Sequence, residues 1–279
     1  MMSASFHAAA TAIRDVDALL ITAGAGIGVD SGLPDFRGKE GFWKAYPVAA
    51  RLNLSFMDLA NPYWFAKDPA LAWAFYGHRL NLYRRTIPHA GFATLLRWAE
   101  KKPAGYFVFT SNVDGHFQKA GFDPNRIVEC HGSIHHFQCV ADCSNSIWDA
   151  SAEQVTVDES SFRAAEPFPS CPECKKLARP NILMFGDYSW HSDRTDAQHQ
   201  AFENWQQELE KKSARVAVIE LGAGSAIPTV RHASELFAER FSGKLIRVNP
   251  REPEAPTGHF SFASPALAGI QEMDESLNK

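Results

Sequence analysis

The stretch Ala18-Leu19-Leu20-Ile21-Thr22-Ala23-Gly24-Ala25-Gly26-Ile27-Gly28, continuing through Val29 to Gly38 as VDSGLPDFRG, decides the fold. Ala18 to Ile21 is a short apolar run, β-branched at its end, and reads as a buried parallel strand. It leads straight into Gly24, Gly26 and Gly28. Closely spaced glycines after a strand let backbone approach a pyrophosphate, with N–H groups and a helix N-terminus facing the anion. Val29 stands where the usual dinucleotide fingerprint has its third glycine, so the glycines alone also fit a plain tight turn. Beyond them, Asp35, Phe36 and Arg37 put an acid, an aromatic ring and a guanidinium on one stiff loop. A loop with no chemical task rarely carries that combination beside a phosphate cradle.

The remaining chain repeats the strand-then-polar-end arrangement. Gly105 to Thr110 reads as a second buried strand and ends in Ser111-Asn112-Val113-Asp114. Ile127 to Glu129 is a third, ending at Cys130-His131-Gly132-Ser133. Ala214 to Ile219 ends in Leu221-Gly222-Ala223-Gly224-Ser225, and Lys244 to Val248 ends at Asn249. Between the strands, helices are predicted at His7 to Asp15, Pro69 to Arg85, Gly91 to Lys101, Phe202 to Lys211 and Pro265 to Met273. Asn61-Pro62 and Asp68-Pro69 mark helix starts, and the Pro69 to Arg85 helix reads as amphipathic, an insert packing on the sheet. Strands alternating with helices imply an α/β fold with a doubly wound, Rossmann-like parallel sheet. Its ligand belongs in the crevice at the carboxyl ends of the strands, where the unusual residues collect.

Composition narrows the function. The 279 residues suffice for one large domain or a large and a small one. A net charge of −4, with no run of Lys and Arg, leaves no footprint for nucleic acid. The longest apolar stretch is too short and glycine-rich to span a bilayer. Met1 to Ala10 lacks the pattern of a secretory signal, so no membrane partner and a cytoplasmic location are expected. Four of the five cysteines fall in two close pairs, Cys139 with Cys143 and Cys171 with Cys174. Four thiolates close a tetrahedral structural zinc site. The rival, free core cysteines, sits badly with polar neighbours such as Asp142, Asn145 and Glu173. Cys130, the odd one, reads as a small buried hydrophobe. Among eleven histidines, His131 stands out by its place after a strand, where a group that takes a proton near neutral pH is useful.

These motifs resemble the sirtuins, the NAD-dependent protein deacylases, from about Ala18 to Asn249. The resemblance implies that Gly24, Ala25, Gly26 and Gly28 hold the pyrophosphate of NAD, and that Asp35, Phe36 and Arg37 cover the nicotinamide ribose. Thr110 to Asp114 matches the family's second motif, which implies that Ser111 and Asn112 serve the ribose side and Asp114 the carboxamide. His131 matches the base that acts through the ribose hydroxyls once the acyl oxygen displaces nicotinamide; Gly222, Ser225 and Asn249 match contacts to the adenosine half. Ile182, Met184, Phe185 and Gly186 lie in the segment expected to pair with a substrate peptide as an added strand. Tyr76 and Arg79, three apart on one helix face, resemble the branch that prefers succinyl and malonyl lysine. Three places depart from the family pattern: Ser111 replaces a glutamine, Gly28 a serine, and Ala223-Gly224 a Thr-Ser pair.

The expected organisation is therefore an NAD-binding Rossmann-like domain made of residues 1–38, 89–136 and 183–279. A smaller domain is built from a helical insertion at 39–88 and a zinc-binding insertion at 137–182. The expected partner is an acylated lysine in a protein or peptide. NAD glycohydrolysis, ADP-ribosyl transfer and NAD sensing with little catalysis are the alternatives that the same cofactor pocket allows.

Overall fold

The structure, a computed structural model, describes residues 2–34, 42–44, 46–51 and 53–277. Among these residues, six strands form one sheet: β1 (Ala18–Ala23), β2 (Tyr106–Thr110), β3 (Ile127–Glu129), β9 (Val216–Leu221), β10 (Lys244–Val248) and β11 (Phe260–Phe262). Their spatial order is β11-β10-β9-β1-β2-β3, and every pairing is parallel. Counted in chain order within the sheet, the path runs outward one way from β1 and then restarts beside it at β9. The switch point thus falls between β1 and β9, the place where an open α/β sheet binds its ligand.

Strand composition explains why this sheet is the core. Every residue of β1 and of β9 is buried, as expected for strands covered on both faces. Leu19 and Ile21 pack under the helices Met2–Arg14, Ala90–Glu100 and Ala266–Leu277, while Leu20 and Val218 face Asp193–Lys211 and Thr229–Arg240. Burying each such side chain is worth about 1.5–3 kcal/mol. The charges buried in this sheet are paired: Glu220 in β9 accepts from Arg247 in β10, at 2.6 and 2.9 Å, and Glu129 in β3 meets Arg194.

A second core draws on residues between Leu33 and Tyr83 and between Val113 and Met184. β4 (Gly132–Cys139), β8 (Ala178–Ile182) and β5 (Ile147–Asp149) make an antiparallel sheet in the order β5-β4-β8, and β6 (Val157–Asp158) pairs with β7 (Arg163–Ala164). The chain passes from the first sheet to the second between Glu129 and Gly132. The Pro69–Arg85 helix forms over the expected residues, with the Asp68 carboxylate capping Leu71 N–H at 3.1 Å. Its setting differs from the expectation. Residues 71–77 are buried all the way round, so its first turns form a core helix and lack an outer polar face. It packs on β4, β6 and β7 instead of the parallel sheet. A Cβ at Gly77 would overlap the Val155 side chain. Asn81 and Arg84 donate to the carbonyls of Val155 and Glu153 at 2.8 and 2.6 Å, lacing the two insertions together.

Candidate active site

The cofactor half is a glycine seam between two strand ends. Gly24 N–H donates to Leu221 C=O and Gly26 N–H to Gly222 C=O, both at 3.0 Å. A Cβ on Gly24 would come within 2.8 Å of Ala223 Cα, and one on Gly26 within 2.7 Å of Gly222 Cα. Gly222 itself has φ +63°, a left-handed conformation that glycine adopts without strain. The strand ends therefore approach more closely than side chains would permit. Beyond β1 the chain turns directly into a helix, Ala25–Ser31, of the tighter 3-10 kind. This helix is braced from behind: His89 bonds Ile27 C=O through Nε2 at 3.0 Å, and Asp30 accepts Leu267 N–H at 2.8 Å.

One cavity of about 580 Å³ opens over this seam and is lined by Gly24, Ala25, Gly222, Ser225, Ser111, Asn112, Asp114 and His131. Gly26, Gly28 and Asn249 are not on its wall. Gly26 is spent on the seam. Asn249, fully buried, acts from beneath: Nδ2 donates to Ala223 C=O at 2.8 Å, and Oδ1 accepts from Arg251 and Glu252 N–H. Asp35, Phe36 and Arg37 lie outside the described residues.

The polar groups at the ends of β2 and β3 are fixed by their own backbones. Thr110 Oγ1 donates to Ala23 C=O and accepts Asn112 N–H, while Asn112 Nδ2 donates to Gly24 C=O at 3.1 Å. One Asn112 donor is thereby used in tying β2 to the cradle, leaving its carbonyl oxygen for a ligand. Asp114, nearly buried, accepts His116 N–H at 2.9 Å. His131 sits in the β3–β4 turn, its carbonyl accepting Leu183 N–H at 3.0 Å. Burial lowers its pKa below the ordinary imidazole value, with the Ser111 backbone working the other way. A lowered pKa keeps the ring neutral at pH 7, the form that accepts a proton. Burial pushes the neighbouring Cys130 thiol up to about 12, so that sulfur stays protonated and unreactive.

The far end of the same cavity is lined by Tyr76, Arg79, Ile182, Met184 and Phe185. Arg79 is 7% exposed, and its guanidinium carbon lies 5.2–5.8 Å from the ring centres of Phe75, Phe56, Tyr83 and Tyr76. Cation–π contacts of this kind hold a guanidinium in place. The 182–187 segment is less open to strand addition than expected. The N–H groups of Leu183, Met184 and Phe185 already serve His131 C=O, Asp187 Oδ2 and Ala60 C=O. Gly186 is off the cavity wall and supplies a turn at φ +66°.

Away from the cavity, the sulfurs of Cys139, Cys143, Cys171 and Cys174 all lie within 4.8 Å of one another. The pairs 139–174 and 143–171 are 3.5 and 3.6 Å apart. Zinc–sulfur bonds of about 2.3 Å put tetrahedral sulfurs about 3.8 Å apart, so the set fits zinc. Hydrogen bonding to the neighbouring sulfurs, Cys174 first, holds the Cys143 thiol up at about 12, which a cation would reverse.

Residues 24–208 match the model of the Sir2 family. This chain belongs to the Sir2 family. An NAD-dependent protein deacylase of Aquifex aeolicus is 29% identical over 259 residues, covering 92% of this chain and 93% of its own. The NAD-dependent protein deacylase of Thermococcus kodakarensis is 32% identical over 245 residues, covering 87% and 83%. A solved Sir2 homologue–NAD complex superposes with a TM-score of 0.71 at 25% identity, covering 97% of this chain and 93% of that one. A Sir2 homologue–ADP-ribose complex gives 0.70 at 26% identity, covering 97% and 96%.

Within this Sir2-family cavity, two residues stand out that sequence reading passes over. Glu252 lines the cavity beside Ser225 and accepts its N–H and Oγ–H at 3.1 and 2.6 Å, so Ser225 already has a partner. Tyr83 lines the cavity beside Arg79 and accepts its Nε–H at 3.1 Å. The available signals were slight: an acid shortly after the β10 strand for Glu252, and a seven-residue helical spacing from Tyr76 for Tyr83.

Proposed function

We propose that this chain removes acyl groups from protein lysine side chains at the expense of NAD, releasing nicotinamide and O-acyl-ADP-ribose. The observation that carries the reading is a single cavity whose wall brings together the glycine-built cradle, His131, and Tyr76 and Arg79 among apolar side chains. NAD supplies the activated ribose carbon; the chain's residues orient and deprotonate. Asn112 and Asp114 orient the nicotinamide ribose and carboxamide, which a side-chain amide and a carboxylate suit. Neutral His131 takes a proton from a ribose hydroxyl. The four cysteines hold a structural zinc, with no open position for catalysis.

The acyl end favours an acidic acyl group. A guanidinium held among rings, with two phenols on the same helix face, offers a carboxylate a forked donor plus neutral ones. On that reading, succinyl- and malonyl-lysine are preferred over acetyl-lysine. Paired free thiols of metal-site spacing suit a reducing compartment, which is the ground for placing the activity in the cytoplasm.

Incubation with NAD and either acetyl- or succinyl-lysine peptide tests the proposal by mass spectrometry of the products. Peptide-dependent acyl-ADP-ribose is expected, with the succinyl peptide turned over faster. Free ADP-ribose formed without peptide would make the chain a glycohydrolase, and saturable NAD binding without turnover would make it a sensor. Equal rates on both peptides would remove the acidic-acyl preference alone.

A further inference from the structure

Asp187 lies at the end of the Ile182 to Asp187 segment, and its side chain is fully buried. It meets Arg179 of β8, itself 2% exposed, in a forked pair: Nη1 donates to Oδ1 at 3.1 Å, and Nη2 contacts Oδ2 more closely. The same Nη2 donates to Ile182 C=O at 3.1 Å. The carboxylate also accepts Met184 N–H on Oδ2 at 3.3 Å and Ser189 N–H on Oδ1 at 3.2 Å. One ion pair therefore closes the turn that carries Met184 and Phe185 on the cavity wall, with Gly186 supplying the left-handed corner. Neither Arg179 nor Asp187 reaches the wall itself.

A buried pair of this kind seldom adds net stability, because desolvating both charges offsets their attraction. Its contribution is a single geometry: a forked guanidinium–carboxylate contact fixes both partners in plane and register. We infer that Arg179 and Asp187 are positioning residues for the acylated peptide, holding the Met184–Phe185 wall in the shape that receives the acyl-lysine. This rests on the deacylase reading above. The nucleotide cradle is built from β1, β2 and β9 ends and shares no bond with the pair, so peptide and NAD affinities should respond separately.

The test is a set of variants assayed for peptide KM, kcat and NAD binding by titration. Asp187→Asn should raise peptide KM roughly tenfold or more, the size expected when a charge-assisted hydrogen-bond set that shapes a binding wall is lost. NAD affinity should stay within about twofold. Arg179→Lys, which keeps the charge and loses the fork, should fall between parent and Asp187→Asn. Because an orphaned buried charge can unfold a protein, the double variant Arg179→Leu/Asp187→Leu is the control. It should melt near the parent yet keep the raised peptide KM. A folded Asp187→Asn or double variant with parental peptide KM overturns the inference, as does a parallel loss of NAD affinity. A parent inert towards every acyl-peptide overturns the deacylase reading itself, and the pair's role with it, before any variant is made.

Discussion

At the scale of single residues, the site depends on environment more than on identity. Of the histidines in the chain, His131 is distinguished by a turn that half-buries it on the cavity wall, with its ring neutral at pH 7. Catalysis needs the unprotonated ring, and burial depresses the pKa, so the acid limb of kcat/KM should fall below the ordinary imidazole value of 6.5. A limb above 6.5 in the pH–rate profile would contradict that setting. His131→Ala should lower kcat by about two to four orders of magnitude while leaving NAD affinity nearly intact. A variant with near-parental turnover removes His131 from the chemistry. The sequence made this residue visible because it follows a strand. Asn249 and Ser225 were equally visible, yet their hydrogen-bond partners were not: one braces the Ala223 carbonyl from below and the other is held by Glu252. Side-chain partners come from loops distant in sequence, and no local pattern records them.

At the scale of elements, the Pro69–Arg85 helix shows what periodicity reveals and what it hides. Asp68 and Pro69 mark its start plainly, and its bounds were legible. Its packing was not, since its first turns, buried all round from 71 to 77, carry no one-sided apolar pattern. β4 was missed for a related reason. Its sequence, GSIHHFQC, interrupts the apolar alternation with His135, His136 and Gln138, and Gln138 is buried only because Asn181 and Ser189 satisfy it. The parallel strands were legible because burial on both faces leaves continuous apolar runs. Gly77 gives the helix packing a test. In an exposed helix, Gly→Ala stabilises by roughly 0.5–1 kcal/mol. Here the added Cβ meets Val155, and overpacking costs about 1–3 kcal/mol, so the clash wins. Gly77→Ala should therefore lower the melting temperature. In a Val155→Ala background the 2.4 Å contact is gone but the Cβ of residue 155 at 2.9 Å and Val157 Cγ2 at 3.1 Å remain, so the same change should still cost stability, though less than in the parent. A stabilising Gly77→Ala in the parent would show that the ribbon yields freely.

At the scale of the whole molecule, two cores of different origin meet at one cavity. The parallel sheet has helices on both faces and needs no staple. The insertion core rests on a three-stranded sheet, a two-stranded ribbon and helices, with the four cysteines joining the segments that flank its long polar excursion. Cys139 ends β4, and Cys171 and Cys174 precede β8, so the metal would clamp the paired strands β4 and β8 at one end. A structural zinc in such a place contributes its binding free energy to folding, and chelation takes it away. The two halves should then part company. Metal analysis of protein purified without chelator should find one zinc per chain. Removing it, or changing Cys171 to Ser, should lower the melting temperature and abolish acyl-peptide turnover. NAD binding, which draws on the glycine seam of the parallel sheet, should weaken far less, and titration of NAD into the chelated protein measures this directly. Metal-free protein that melts and turns over like the parent would mean that the thiols hold the strands unaided. Equal loss of NAD and peptide binding would mean that the two cores fold as one unit.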